Sequence, residues 1–528
     1  MSQRSESISQ ENLISHIKTL ASDEFEGRAP SSPGEEKTVN YLREKFQSLG
    51  LQPGNYKSYF QEVPLVKFDT DYDDSMEITG RNQSFHLQFK KEMVASTRRM
   101  VDTISLKDSE LVFAGYGIVA PEYEWNDYEG LDVEGKTVIV LVNDPGYATE
   151  DDSLFNGKAM TYYGRWTYKF EEASRQGAAG VLIVHETGPA GYPWEVVENS
   201  FGGPQFLMES EDGNMSRTEI EGWISVDAAT KLFSKADMDL ETMKDWALQP
   251  DFSAIPLDLS LTYSLHNSIE KSASRNVLAK LPGASRPDEF IIYTAHWDHF
   301  GVDGEGKIYN GARDNATGLA AMIEIARQFS QQPDPPDRSI LFLPVTAEER
   351  GLLGSKYYAA HPVIPPENTV AVINMDALNI WGPTRDVTVI GYGNSELDDL
   401  VEEVAEEQGR YVRPDPEPEK GRFYRMDHFS FAKKGIPALA TEHGAEHADH
   451  GEEWMLEAID SWTEQHYHKP SDVYNEDTWD LAGAVQDTQM YFQIGYQLSQ
   501  SNEFPNWKEG TEFRAIRDEM MERKNSET

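Results

Sequence analysis

Cysteine is absent from the 528 residues of this chain, which excludes disulfide bonds, thiolate zinc sites and a cysteine nucleophile. A bound transition metal would therefore need histidine and carboxylate ligands. Long apolar runs are also missing, since no segment approaches the roughly 18 residues of a membrane-spanning helix. The N-terminal stretch MSQRSESISQ lacks the apolar core of a secretory signal peptide. We therefore expect either a cytoplasmic protein or one from which a signal has been removed.

Basic residues are scarce, because 47 Lys and Arg stand against 91 Asp and Glu, which gives a formal net charge of −44. This excludes a nucleic acid as the main partner, since its phosphates would be repelled. Two interpretations of the charge remain: a solvated surface adapted to salty surroundings, or a field that attracts cationic substrates or metal ions. With 39% hydrophobic residues the chain can form folded globular domains, and its length predicts two to three of them.

The sequence pattern divides the chain into four segments. Segment 1–108 contains the amphipathic helix pattern of Glu35–Leu49, which is followed by strand-like stretches. Segment 109–265 combines apolar strands with loops rich in glycine and aromatics, which predicts a small α/β or β-rich module inserted in a larger domain. Segment 266–510 alternates regularly between strands and helices. Segment 511–528 is charged and predicts a surface helix or a frayed tail.

Four apolar strands in segment 266–510 each end in polar or charged residues. Their sequences are EFIIYTAH, RSILFLPV, TVAVIN and IPALAT. Because helix patterns separate them, the expected fold class is α/β, with a mixed, mostly parallel sheet sandwiched by helices. In such sheets the functional site lies at the carboxyl ends of the strands.

Candidate metal-binding side chains follow these strands and occupy the loops between them. Taken singly, each has an ordinary explanation as a hydrogen-bonded histidine, a helix cap or a solvated turn. Together they offer only imidazole and hard oxygen donors, which suits zinc better than calcium, with cobalt or manganese as substitutes. The candidates are His296, Asp314, Glu349, Asp376 and His468.

Acidic neighbours of two candidates indicate supporting roles. Asp298 lies two residues after His296 on an extended chain, so its carboxylate is expected to reach the second imidazole nitrogen. A purely structural His–Asp pair is the alternative. Glu348 precedes Glu349, and adjacent buried acids are costly unless cations or protons neutralise them. One can bind metal while the other acts as general base, and a solvated turn is the alternative.

Six motifs occur in a fixed order: TAHWDHFG, NGARDNATG, TAEERGLLGS, INMDALN, RMDHFSFAKKGIPAL and YHKPSD. In this order they resemble the di-zinc aminopeptidase family that includes secreted bacterial aminopeptidases and glutamate carboxypeptidase II. With ASDEFEGRAP and YLREKF, the resemblance covers about 20–105 and 272–500. It implies a zinc-exopeptidase fold in which segments 1–108 and 266–510 form the peptidase domain. Segment 109–265 resembles a protease-associated domain more loosely, through AGYGIVAPE, GKTVIVLVNDPG and RQGAAGVLIVHE.

The resemblance also implies how two zinc ions would be held. His296 and Asp376 would be terminal ligands of one ion, and Glu349 and His468 would be ligands of the other. Asp314 would bridge the two ions with its two carboxylate oxygens. Each ion would then have three protein ligands and room for water.

Further roles implied by the resemblance concern catalysis. Glu348 would take a proton from a water that bridges the metals and deliver it to the leaving amine. Tyr467 would donate to the developing oxyanion, with packing as the alternative. Independently of the resemblance, Asp472 follows His468 closely and is expected to support the site from behind a ligand, with an ordinary polar loop as the alternative. The Asp314–Asn315 peptide bond would be cis.

Two other features stand close to these motifs. His443, His447 and His450 lie among acids, and their loop has two interpretations: a third metal site or substrate-amine pocket, or a polar loop at the rim of the site. The second interpretation is favoured. Asp427 and His428 resemble the family's Asp–His pair, for which a role in supporting the fold is favoured over catalysis.

The predicted activity is that of an exopeptidase, an aminopeptidase by preference, acting on peptides with a free N-terminus. A carboxypeptidase, a dipeptidase or a one-zinc glutaminyl cyclase on the same fold is the alternative. A binding protein such as the transferrin receptor is disfavoured because such proteins lose ligands, whereas all five are present here. Since relatives are often exported, a periplasmic or secreted location is expected, with the cytoplasm as the alternative. Substrate side-chain preference and oligomeric state stay open.

Overall fold

A computed structural model describes residues 8–80, 84–201 and 205–527 of the chain. The first seven residues, which make up most of the polar N-terminal stretch considered above, lie outside the described residues. Within the described ranges, every helix is too short or too polar to cross a membrane.

The chain folds into two compact units. The first unit comprises Met1–Pro64, Ala273–Pro416 and Arg425–Thr528, and the second comprises Leu65–Ser272 and Glu417–Tyr424. The α-helices of the described residues are α1 Gln10–Leu20, α2 Pro33–Ser48, α3 Pro145–Thr149, α4 Trp166–Arg175, α5 Thr187–Ala190, α6 Trp194–Phe201, α7 Val226–Lys235, α8 Leu240–Ala247, α9 Thr317–Ser330, α10 Leu353–Ala360, α11 Leu397–Glu407, α12 His428–Ala432, α13 Gly451–His466, α14 Ala482–Gln500 and α15 Arg514–Glu527.

The strands alternate with these helices. They are β1 Gln52–Pro53, β2 Phe60–Tyr72, β3 Ser75–Thr79, β4 Ser84–Gln88, β5 Met93–Ser96, β6 Thr103–Phe113, β7 Val119–Ala120, β8 Trp125–Asn126, β9 Thr137–Leu141, β10 Gly180–His185, β11 Gln205–Met208, β12 Ile220–Ser225, β13 Ile255–Val277, β14 Ala279–Leu281, β15 Arg286–His296, β16 Gly301–Val302, β17 Ile308–Tyr309, β18 Arg338–Val345, β19 Thr369–Asn374, β20 Asp386–Val389, β21 Tyr411–Pro414 and β22 Ala438–Glu442.

The first unit is built around a mixed sheet with the strand order β1-β14-β18-β15-β19-β22-β20-β21. Its four central strands, β18, β15, β19 and β22, run parallel, while β14 and β20 pair antiparallel to them. All residues of β18 and β19 are buried, as expected for strands of a parallel sheet with both faces covered. Side chains of α1, α2, α9 and α14 belong to the same apolar core. The predicted mixed α/β fold is confirmed.

The second unit has its own sheet, with the order β11-β2-β13-β6-β9-β10-β12-β5. Strands β6, β9, β10 and β12 are parallel, and α4 lies against β10. The predicted insert 109–265 lies within this unit. Residues 65–108, which the sequence analysis assigned to the peptidase domain, cluster with it as well, because β3 and β6 pair with β13. Its identity as a protease-associated domain stays a prediction.

The C-terminal segment 511–528 contains helix α15, and it is anchored more firmly than a frayed tail would be. Arg517 in this helix is fully buried, and its guanidinium donates hydrogen bonds to the carbonyl oxygens of Thr369 at 3.2 Å and Val370 at 3.4 Å. The helix therefore packs on the start of the central strand β19.

Candidate metal and catalytic site

The carboxyl ends of three neighbouring strands bring four predicted side chains together. His296 is the last residue of β15, while Glu348 and Glu349 follow β18 and Asp376 follows β19. Because β18, β15 and β19 are adjacent and parallel, these side chains emerge at one edge of the sheet. The register pairs His296 with Val345, so the loop that carries the two glutamates starts beside the histidine.

Asp314 reaches the same edge from the turn that precedes α9. The carboxylate of Asp472 accepts hydrogen bonds from the main-chain N–H groups of Arg313 at 2.9 Å and Asp314 at 3.1 Å. Asp472 thereby fixes the loop from behind the Asp314 side chain, in line with its predicted supporting role. The Asp314–Asn315 peptide bond is cis, as the resemblance implies.

The five predicted ligand side chains converge around Asp314. One carboxylate oxygen of Asp314 lies 3.1 Å from Nε2 of His296, and the other lies 3.3 Å from Nε2 of His468. Nε2 of His296 is also 3.3 Å from Asp376, and Nε2 of His468 is 3.3 Å from Glu349. Two groups of donors therefore share the Asp314 carboxylate: His296 with Asp376 on one side, and His468 with Glu349 on the other.

These separations fit divalent metal ions. Two donors that share a tetrahedral zinc ion at bonds of about 2.0–2.1 Å lie about 3.3–3.4 Å apart. All four nitrogen–oxygen distances, from 3.1 to 3.3 Å, agree with that spacing to within about 0.2 Å. Neutral imidazoles and ionised carboxylates are also the donor types that zinc selects. The residues present thus suit two ions, one on each side of Asp314.

The electrostatics of the site favour bound cations. Burial, followed by the charges of Asp427, Asp376 and Asp314, raises the pKa of Glu348 well above its ordinary value. Burial, followed by Asp314 and Glu348, does the same for the pKa of Glu349. So many carboxylates can be ionised together in a buried site only if positive charge compensates them.

Asp298 supports the site differently from the prediction. Its carboxylate was expected to face the second nitrogen of His296, but the nearest carboxylate oxygen is 3.9 Å from Nδ1. The main-chain oxygen of Asp298 lies 3.1 Å from Nδ1 instead and accepts its hydrogen bond. The Asp298 carboxylate accepts from the main-chain N–H groups of Glu348 at 3.0 Å and Glu349 at 3.3 Å. Nδ1 of His296 is thus held by the main-chain oxygen of Asp298, while the carboxylate of Asp298 is engaged by the two glutamate N–H groups.

Tyr467 lies beside the second donor group. Its ring stacks on the ring of His468, with centroids 3.7 Å apart. Although 40% of Tyr467 is exposed, desolvation at the site, followed by the charges of Asp314 and Glu349, raises its pKa, so the phenol keeps its proton. A protonated phenol next to the metal-binding side chains is compatible with the predicted donor role.

Left-handed backbone conformations flank three of the loops. Ala347 has φ +52°, Ala377 has φ +49° and His468 itself has φ +55°. Residues with a Cβ rarely adopt such angles, and they cluster where a site requires a particular side-chain direction. Here they turn the chain next to Glu348 and Asp376.

Sequence reasoning missed Arg28, which ties the loops of the site together. This arginine is fully buried, and its guanidinium donates to the carbonyl oxygens of Leu20 at 2.8 Å, Trp297 at 2.9 Å, Asn310 at 2.6 Å and Gly311 at 2.8 Å. The only sequence signal was its place in the matched stretch ASDEFEGRAP. His299 was also missed, although it is the second histidine of TAHWDHFG, and it contacts Glu349.

The His443–His450 loop is held in place by hydrogen bonds of His447. Nε2 of His447 lies 3.0 Å from the carbonyl oxygen of Trp381, and its Nδ1 accepts from the N–H groups of Asp449 at 3.1 Å and His450 at 3.0 Å. Both ring nitrogens of His447 are therefore engaged in hydrogen bonds, one to Trp381 and one within the loop. This favours the interpretation of a polar loop over that of a third metal site.

Comparisons with known proteins agree with this geometry. Residues 276–493 match the model of Peptidase family M28. Aminopeptidase NAALADL1 of Mus musculus is 34% identical over 140 residues, which are 25% of this chain and 18% of that protein. The Glutamate carboxypeptidase 2 homolog of Caenorhabditis briggsae is 32% identical over 123 residues, 22% of this chain and 15% of that protein. The chain thus spans less than a fifth of these curated relatives.

One solved structure shows the same fold along the chain. The aminopeptidase from Aneurinibacillus sp. strain AM-1 has 20% sequence identity and a TM-score of 0.50, and the match covers 94% of this chain and 95% of that chain. At this identity the likeness concerns the fold alone.

Proposed function

We propose, from the premise that residues 276–493 form a peptidase family M28 domain, that this chain is a co-catalytic di-zinc exopeptidase, specifically an aminopeptidase. The observation that carries the proposal is the position of Asp314. Its two oxygens lie 3.1 Å and 3.3 Å from the imidazoles of His296 and His468, as a carboxylate that bridges two ions would.

Five side chains would hold the ions. His296 and Asp376 would bind the first ion, Glu349 and His468 the second, and Asp314 both. When bound, zinc supplies Lewis-acid polarisation of the scissile carbonyl and makes water acidic enough to act as a nucleophile near neutral pH. The name of a matched relative, aminopeptidase NAALADL1, supports the proposed aminopeptidase activity.

Glu348 would move the proton. Its side chain belongs with His296 and Glu349 to a group whose ligand atoms lie within 4.8 Å of one another, so it faces the reaction centre. The hydrogen bond from its main-chain N–H to Asp298 fixes its place. A carboxylate beside the attacking water can act as general base and then as general acid. Glu348 would accept a proton from the attacking water and deliver it to the leaving amine.

Tyr467 would donate its hydroxyl proton in a hydrogen bond to the carbonyl oxygen as negative charge develops there. The periplasmic or secreted location stays a prediction.

The experiment that tests the class is a panel of aminoacyl, dipeptidyl and N-blocked peptide substrates, each assayed with and without a chelator. We expect release of single N-terminal residues from free-amine substrates only, abolished by the chelator and restored by zinc. Cleavage of N-blocked peptides from the carboxyl end would contradict the aminopeptidase assignment. Cleavage that persists in the chelator would contradict the metallopeptidase assignment.

A further inference from the structure

His299 is a buried imidazole that the proposed mechanism does not use. It is fully buried, and its ring packs edge-on against Phe300 and His468, with centroid distances of 4.9 and 6.1 Å. Its Nδ1 lies 2.6 Å from Oε1 of Glu349, whose other oxygen lies 3.3 Å from Nε2 of His468. The two oxygens of Glu349 therefore have different partners.

The length of this contact decides between a metal ligand and a hydrogen-bond donor. His299, Asp314 and Glu349 form a group of side chains that could together hold an ion. Donors that share a tetrahedral zinc ion, however, lie about 3.3–3.4 Å apart. The 2.6 Å between His299 and Glu349 is too short for that and has the length of a charge-assisted hydrogen bond. Nδ1–H therefore donates to the carboxylate.

The surrounding backbone holds the imidazole in this position. Gly311 has φ +55°, and a Cβ there would lie 2.6 Å from Cγ of His299, so the glycine allows the loop to pass close to the ring. The main-chain N–H of His299 donates to the carbonyl oxygen of Arg28 at 3.3 Å. Nε2 has no hydrogen-bond partner in the part of the chain that the structure describes, so the bond to Glu349 is the ring's polar contact there.

We propose that His299 is a positioning residue that makes Glu349 a one-oxygen ligand of the second metal position. Its hydrogen bond occupies Oε1, so that Oε2 alone faces the ion shared with His468. A carboxylate already held in place loses less conformational freedom when it binds a cation. The metal position at Glu349 and His468 should therefore bind zinc more tightly than it would without His299, whereas the position at His296 and Asp376 gains nothing. This inference rests on the proposed di-zinc function.

Amide side chains provide matched variants, because Asn places its N–H near the position of Nδ1 and Gln places it near that of Nε2. Zinc would be titrated against a chelating fluorophore in the wild type, H299N, H299Q and H299F. We expect H299F and H299Q to lose about 10–100-fold in affinity for one of the two ions and to keep the affinity for the other. H299N should recover most of the loss.

The other outcomes separate this inference from the function on which it rests. Two unchanged affinities in H299F, or equal losses at both positions, overturn the inference and leave the di-zinc proposal standing. A wild type that binds no zinc overturns the proposed function itself. If H299F and H299Q melt near the assay temperature, H299N decides: two-step zinc binding supports the inference, and the loss of one ion from folded H299N contradicts it.

Discussion

Replacing Glu348 with glutamine is expected to abolish turnover while both zinc ions stay bound. The amide has the shape of the carboxylate but cannot take a proton, and general acid–base catalysis contributes about 10²–10⁴-fold to the rate. The four nitrogen–oxygen pairs that fit the metal spacing do not involve Glu348. Its main-chain hydrogen bond to Asp298 is independent of the side chain. We therefore expect kcat to fall by at least about 100-fold at unchanged zinc content.

The matched control for this variant is Glu349→Gln, one residue further along the chain. Since Glu349 faces His468 across the second metal position, this change should lower zinc content as well as activity. A zinc-replete Glu348→Gln protein with near-normal kcat would refute the assignment of the general base. Equal loss of zinc in both variants would mean that the two glutamates do not have separate roles.

Replacing Asp314 with asparagine is expected to weaken both zinc ions at once. The two oxygens of Asp314 face His296 and His468, one each, and an amide offers a single acceptor oxygen. The loss of affinity should exceed the about 10–100-fold that follows removal of a residue behind a ligand. Calorimetric titration of zinc into the metal-free protein measures both affinities.

Asp472→Asn is the control for the bridging role, because Asp472 contacts only the main chain around Asp314. It should reduce zinc affinity less than Asp314→Asn does. Without metal, Asp314→Asn should melt below the wild type, because the hydrogen bonds of His296 and His468 hold the pKa of Asp314 well below its usual range despite burial, and the change removes their ionised partner. The zinc titration is therefore made below the melting temperature of the variant. Retention of two tightly bound zinc ions by Asp314→Asn would contradict the bridging assignment.

The convergence of the candidate side chains at one edge of the sheet could be predicted because it depends on local sequence signals. Apolar runs such as RSILFLPV and TVAVIN identify buried strands, and polar residues directly after them mark the carboxyl edge of a parallel sheet. The structure places His296, Glu349 and Asp376 at that edge, and it brings Asp314 and His468 to them from loops. The roles of these residues stay predictions.

The division into units could not be predicted because it depends on long-range strand pairing. The sequence of residues 65–108 predicts strands, but it does not indicate their partners. Strands β3 and β6 pair with β13, which begins more than 140 residues later. The predicted contact between the Asp298 carboxylate and Nδ1 of His296 was wrong because it too depends on the tertiary structure. Alternation along an extended chain predicts the side to which Asp298 points, but it does not predict whether its carboxylate or its main-chain oxygen lies nearer to Nδ1 of His296.

His299 and Arg28 escaped prediction for a different reason. A single histidine or arginine carries no spacing that reveals its partner, and both act through contacts set by the tertiary fold. Arg28 reaches carbonyl oxygens nearly 300 positions away, and His299 reaches a glutamate 50 positions away. Such residues become visible only when the distances are known.

If Asp314 lies between two zinc ions, metal analysis of the purified, zinc-equilibrated chain should find two zinc ions per chain. Removal of both should abolish aminopeptidase activity, and restored zinc should recover it. A fully active protein with one zinc ion per chain, or with none, would refute a di-zinc site bridged by Asp314.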